Sequence, residues 1–235
     1  MMSDALTLVL IRHGKTVELV NDAGQPLIYG RYYNPPLSEK GIIQVSELSA
    51  KLLSASLQPD LIVTSPLCRA YQTADLIHDY FSGAPLVVDE GLMDFWSENM
   101  EGRPLSWVRE VLHNDPYNFS GVRDYEIEAP TSMIARVFDS VRDAVSLCQE
   151  NLNESPTIFV VGHGDPLAFF AWAVRRRGYF TTDVPKLPEL QAERHYLSAG
   201  TMAVLRLGYP SLFLEQEVWH LKESGRRNTI RWKEY

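Results

Sequence analysis

Two rhythms of apolar and polar positions alternate along the chain. Continuously apolar runs at Leu6–Ile11 and Ile158–Val161 predict central β-strands covered on both faces. Leu61–Thr64, Leu86–Val88, Met202–Leu207 and Phe213–Val218 predict further strands. Between them the period lengthens to that of a helix. "SEKGIIQVSELSAKLLSA" sets Ile42, Val45, Leu48 or Ser49, and Leu52 on one face, with Ser38 as N-cap. "SPLCRAYQTADLIHDYF" opens on Ser65 as N-cap and Pro66 at the first helical position, and aligns Ala70, Ala74, Ile77 and Phe81. "TSMIARVFDSVRDAVSLCQENL" reads as a long amphipathic helix. "DPLAFFAWAVRRRG" runs from an Asp165 cap and Pro166 to Gly178, with Phe169, Phe170 and Trp172 as core.

Strands alternating with helices of this length predict an α/β fold. It has three layers: a doubly wound, mostly parallel sheet with helices on both faces. The last two strands, joined at "GYPS", predict an antiparallel hairpin at an edge near the C-terminus. No repeat or linker divides residues 1–235, so one domain is expected. Residues of about 95–130 are polar and aromatic around a short helix near Leu105–Leu112, and read as an excursion over the functional edge of the sheet.

Composition narrows the partners. A 235-residue chain with 45% hydrophobic residues has enough material for a packed core. A net charge of −8 argues against nucleic acid and anionic membrane as ligands. The two cysteines, Cys68 and Cys148, sit in helical patterns without metal-ligand spacing, as reduced thiols do. With no signal-peptide pattern and no run of transmembrane length, the expectation is a soluble, cytoplasmic protein. Its oligomeric state is open between monomer and homodimer.

Chemistry gathers at the strand ends. "LIRHGKT" and "VVGHGDP" each place a histidine and a glycine directly after an apolar strand. In open α/β sheets ligands bind outside the carboxyl ends of the strands, and glycine lets backbone approach them. Gly164 also precedes a helix N-terminus, which favours an anion. Arg69, in a first helical turn, opposes the helix dipole, and a bound phosphate would explain it. Arg12, His13, Arg69 and His163 thus converge in a pattern suited to a phosphoryl group. No metal-site motif and no cofactor box accompanies them. "RRRG" at 175–178 reads as a solvated helix end, and His78, His113, His195 and His220 as structural or surface residues.

Taken in order, "RHGKT", "GRYYNPPLSEKG", "TSPLCRAYQTA" and "VVGHGD" resemble the successive motifs of the histidine phosphatase superfamily, the phosphoglycerate mutase-like group. The resemblance implies His13 as the nucleophile that takes up the phosphoryl group. It implies Arg12 and Arg69 as phosphate clamps and His163 as the second histidine of the pocket. Gly14, Thr16, Asn34, Gly164 and Arg31 follow as substrate-binding residues. The family's acid is usually a glutamate; counting back from Glu101-Gly102 puts Asp94 there, with Glu90, Glu98 and Asp165 as alternatives. Asp165 is assigned instead to capping its helix. Where the family often has an asparagine this chain has Leu19, with Asn21 or Asn34 as replacements. Tyr29, Arg31, Tyr32 and Tyr33 are placed to read the non-phosphate part of a substrate, or to pack as a surface loop.

The function expected is a metal-independent phosphomonoesterase acting on a small phosphorylated metabolite through a phosphohistidine. A phosphoglycerate mutase, with Arg103 and Arg123 as candidate carboxylate ligands, and a non-catalytic phosphate or phosphoprotein binder are the rivals.

Overall fold

The computed structural model describes residues 5–112, 115–117, 126–150, 155–176, 184–192, 196–208 and 212–221. His113, Arg123, Gly178, His195, most of the "GYPS" turn and residues 222–235 lie outside the described residues.

Six strands form one sheet: β1 (Ala5–Arg12), β2 (Leu61–Thr64), β3 (Leu86–Val88), β6 (Thr157–Gly162), β7 (Met202–Gly208) and β8 (Phe213–Leu221). Their order is β3-β2-β6-β1-β7-β8. The first four in that order run parallel; β7 is antiparallel to β1, and β8 is antiparallel to β7 at the edge. The two continuously apolar runs, β1 and β6, are neighbours at the centre, as expected. The pleat sends their alternate side chains to opposite faces. Leu6, Leu8, Leu10, Ile158 and Val160 enter one core; Val9, Ile11, Phe159 and Val161 enter the other. Each large side chain so buried contributes about 1.5–3 kcal/mol.

Helices α4 (Pro130–Glu150) and α5 (Gly164–Arg175) cover the first face, and α1 (Glu39–Ser54) and α2 (Cys68–Tyr80) the second. Ser38 does cap α1, its side chain accepting from the Gly41 N–H. The expected face is corrected at its first position. Ile42 is exposed, and Gly41 is buried in its place against the Lys15 carbonyl, where a Cβ would have only 2.0 Å. The start of α2 is also corrected. It begins at Cys68, after a turn in which the Ser65 hydroxyl accepts from the Leu67 N–H, so Pro66 is not its first residue. Asn34 supplies the missing cap from a distance, its side-chain oxygen accepting from the Cys68 N–H at 2.9 Å.

Phe169, Phe170 and Trp172 are core, and Cys148 is a free buried thiol pushed up to about 11 by burial. The excursion between β3 and α4 holds a 3-10 turn at Glu90–Leu92, a two-stranded ribbon of β4 (Ser97–Glu98) and β5 (Glu126–Ile127), and α3 (Leu105–Leu112). A short α6 (Leu187–Ala192), absent from the expectations, precedes β7. No helix among the described residues is long and apolar enough to cross a membrane.

Candidate active site

Register brings the two histidines together. Arg12 pairs with Gly162 across the parallel strands β1 and β6, so the next residues, His13 and His163, leave the sheet side by side. Their ring centroids are 5.2 Å apart. Next to β6, strand β2 ends at Thr64, which lets Ser65 reach His163, Oγ to Nε2, at 2.9 Å. The first turn of α2 then delivers Arg69, whose side chain is wholly buried.

His13 Nδ1 lies 2.8 Å from the Gly14 carbonyl. A carbonyl only accepts, so the bond assigns the ring proton to Nδ1 and leaves the Nε2 lone pair bare. Burial holds the His13 imidazole well below its ordinary range, and His163, Arg12 and Arg69 add to the effect. His163 is lowered in the same way, by burial first and then by Arg69, Arg136, Arg12 and Arg31. Both rings are therefore neutral near pH 7.

The arginines are held by only part of their donor sets. Arg12 Nη1 donates to the Leu197 carbonyl, and its guanidinium lies 4.9 Å from the centre of the Tyr196 ring. Arg69 Nη2 donates to the Gly30 carbonyl and to Asp94 Oδ2, with the Tyr29 ring 5.0 Å away. Arg12 Nε, Arg69 Nε and Nη1, and His163 Nδ1 are buried without a hydrogen-bond partner. Buried donors are ordinarily paired, and the three guanidinium nitrogens left open on Arg12 and Arg69, both close enough to His13 to act on its charge, suit a tetrahedral oxyanion.

Asp94 is also brought in. Its carboxylate pairs with Arg69 at 2.8 Å and lies 3.5 Å from His163 Nδ1. Of the alternatives, Glu90 and Glu98 are exposed. Asp165 is buried, and the structure corrects its capping role. His163 is the N-cap of α5, and the Asp165 carboxylate instead accepts from the Tyr117 and Tyr196 hydroxyls at 2.6 and 2.7 Å.

Several expected contacts take other forms. The Gly14 N–H donates to the Thr73 hydroxyl, and the close approach that excludes a side chain there is to the Gly41 carbonyl of α1, 2.8 Å from a built Cβ. At Gly164 a Cβ would meet the Tyr196 hydroxyl at 2.5 Å and Arg12 Cζ at 2.9 Å, so that glycine lets Arg12 and Tyr196 pack against the start of α5. The Thr16 hydroxyl bonds that of Tyr29. Asn34 is used on α2, and Asn21 accepts from Ala23 and Gln25 within its own turn, so neither stands among the unpartnered donors. Arg31 donates to the Asp94 carbonyl through Nε and pairs with Glu128 through Nη2.

Sequence reasoning missed the scaffold behind these groups. Glu128 joins Arg31 to Arg136, and Arg136 donates to the carbonyls of Gly91, Met93 and Asp94. Glu101 accepts from four successive N–H groups, Gly30 to Tyr33, at 2.8 to 3.0 Å. The pair Glu101-Gly102 was legible as a spacing marker; its grip on a loop 70 residues away was not. Among the described residues no group of three or more His, Cys, Asp or Glu side chains is arranged to hold a metal ion.

The model of the histidine phosphatase superfamily (branch 1) matches residues 8–184. A 2,3-bisphosphoglycerate-dependent phosphoglycerate mutase of Bartonella quintana (strain Toulouse) is 26% identical over 171 residues, covering 68% of this chain and 77% of that protein. Mycobacterial glucosyl-3-phosphoglycerate phosphatase superposes with a TM-score of 0.67 at 21% identity, over 91% of this chain and 97% of that one. The structure called Mycobacterial hydrolase 2 gives 0.70 at 21% identity, over 94% of each chain. Those structures share the fold, and the family match spans both strand-end histidines and Arg69. The chain belongs to branch 1 of the histidine phosphatase superfamily.

Proposed function

We propose that this protein hydrolyses phosphate monoesters through a phosphohistidine on His13. One observation carries the reading: a neutral imidazole with its proton on Nδ1, beside three buried guanidinium nitrogens of Arg12 and Arg69 that have no partner of their own. The Nε2 lone pair forms a bond to phosphorus as the bond to the alcohol oxygen breaks. Arg12, Arg69 and His163 take up the charge on the three equatorial oxygens, which is most of what phosphoryl transfer requires. Asp94 supplies the proton to the leaving oxygen. The proton enters with the substrate as its monoanion and passes through Asp94 to the leaving oxygen. Water then adds to phosphorus and returns a proton to Asp94. The N–P bond breaks, phosphate leaves and the imidazole is restored.

A mutase remains the second reading, because the curated relative carries that activity. A mutase must hold an anionic acceptor through two half-reactions. Arg31 and Arg136, the cations around Asp94, are already paired to Glu128, which favours water as acceptor. The test is brief incubation with a substrate labelled in its phosphoryl group. Label that is labile to acid and stable to base is expected on the protein and absent from His13→Ala. Label kept by His13→Ala, or release of product with no labelled protein at any time, overturns the mechanism.

A further inference from the structure

Aromatic rings stand on the two loops that carry Gly30 and Asp94, the partners of Arg69. Tyr32 is 70% exposed and Tyr33 45% exposed, although Glu101 grips the backbone N–H of both. Two residues before Tyr32, the Gly30 carbonyl accepts from Arg69. Trp96 follows Asp94 by two residues, and its own N–H is held by Glu128. The Trp96 indole donates to the Tyr32 hydroxyl at 3.1 Å. The rings of Tyr32 and Trp96 are thus joined, and their backbones are tied to carboxylates on both sides of the Arg69–Asp94 pair. An exposed tyrosine held this firmly pays its ordering entropy in advance, as a preorganised binding surface does.

The charge on the ribbon beside Trp96 has one sign. Directly after Trp96 runs β4, where Glu98 lies opposite Glu126 of β5. Both are exposed, and side chains opposite each other share a face of the ribbon. Like charges so placed cost stability, and here they would repel an anionic group entering past Trp96. Among the cations on the same loops, Arg31 and Arg136 are taken up by Glu128 and by main-chain carbonyls, and Arg103, which follows the Gly102 that Tyr33 packs on, donates to the Asn99 carbonyl and stacks on Trp107.

We propose that Tyr32 and Trp96 form a leaving-group subsite, and that the substrate is the monophosphate of an uncharged alcohol bearing a flat ring. This rests on the phosphatase reading, and separates the chain from enzymes whose substrate carries a carboxylate beside its phosphate.

Non-hydrolysable phosphonates read binding apart from chemistry. Calorimetric titration of the full chain with methylphosphonate, benzylphosphonate and phosphonoacetate is expected to give benzylphosphonate the lowest Kd. Its margin over methylphosphonate should be about 3- to 10-fold, the range for aromatic pairs. Tyr32→Ala and Trp96→Ala should each remove most of that margin and leave methylphosphonate unchanged. Glu98→Gln combined with Glu126→Gln should tighten phosphonoacetate several-fold and benzylphosphonate hardly at all. A margin that survives both ring deletions, or phosphonoacetate as the tightest ligand of the native chain, overturns the subsite while the phosphate pocket stands. If no phosphonate binds, the phosphatase reading falls and the subsite with it.

Discussion

Asp94 forms a 2.8 Å ion pair with Arg69, a guanidinium with no exposure to solvent. The carboxylate proposed as the acid and the arginine proposed to bind phosphate thus touch, and Asp94 is fixed from behind as well. Its Oδ1 accepts from the Phe95 N–H, and its carbonyl receives Arg31 and Arg136. The consequence is measurable. A leaving oxygen of low pKa needs little protonation, so Asp94→Asn should slow alkyl phosphates far more than nitrophenyl phosphate. General acid catalysis is worth about 10²–10⁴-fold. Equal losses in kcat/KM for the two substrates would remove Asp94 from the acid's role.

Both pocket histidines are held well below the ordinary imidazole range, by burial first and by cationic neighbours second. The acid limb of kcat/KM should therefore lie well below about 6.5, the ordinary histidine value, after allowance for the second ionisation of the substrate near about 6. Stability follows the same sign. Below about 6.5 the unfolded chain takes up protons that the folded pocket refuses, so it binds more protons than the native state and stability falls with pH. The loss grows until the pH reaches the folded values, where both states are protonated. Thermal melts between pH 7 and 5 should show the decline. His13→Asn, which does not titrate, should flatten it; an unchanged slope would mean that other groups cause it.

Much of the site was legible because it lies at strand ends. Continuous apolar runs mark β1 and β6, and whatever follows such strands in a parallel sheet is delivered to one edge, so His13, His163 and Arg12 could be placed without coordinates. Arg69 stood out because a cation in a first turn needs a reason. The scaffold was not legible. Arg31 meets Glu128 across 97 residues, and Tyr117 meets Asp165 across 48; neither pairing leaves a local pattern. Arg136, midway along an amphipathic helix, looks like any solvated charge. Asp165 before Pro166 resembles a cap, and only the tertiary placement of two tyrosines assigns it otherwise. Ile42 fits the helical period of α1, but the close approach of Lys15 takes that face for Gly41.

Glu101 shows how much a single unseen contact can hold. Its carboxylate satisfies four N–H groups of the Gly30–Tyr33 loop, whose Gly30 carbonyl in turn positions Arg69. Gly102 turns the chain at a φ of +84°, where Tyr33 packs within 2.9 Å of a built Cβ. Hydrogen bonds to charged groups are worth about 1.5–3 kcal/mol each before non-additivity. Glu101→Ala should lower stability by at least about 2 kcal/mol and raise the Ki for inorganic phosphate through Arg69. Urea unfolding and product inhibition measure the two effects. A full loss of stability with no change in Ki would detach the loop from the clamp.

Two roles for Asp165 can be told apart by mutation. A helix cap would cost only stability when removed. The observed arrangement reaches further. Asp165 receives the Tyr196 hydroxyl at 2.7 Å, and the Tyr196 ring lies 4.9 Å from the Arg12 guanidinium, which also donates to the adjoining Leu197 carbonyl. The Tyr117 hydroxyl holds the other carboxylate oxygen, and its ring packs on Phe95, the residue after Asp94. Asp165 therefore links the segment under Arg12 to the loop that carries Asp94. Burial and the charge of Asp94 raise its carboxyl, while the two hydroxyls pull the other way, so removing one hydroxyl favours the protonated form. Tyr196→Phe keeps the ring and loses the bond. It should loosen Arg12 and raise the Ki for inorganic phosphate about threefold or more, in line with a net hydrogen bond of about 0.5–1.5 kcal/mol. Asp165→Asn should raise Ki at least as far, and combining it with Tyr196→Phe should add little, because both changes cut the same link. Lower melting temperatures with Ki unchanged in both variants would return Asp165 to a purely structural place in the helix.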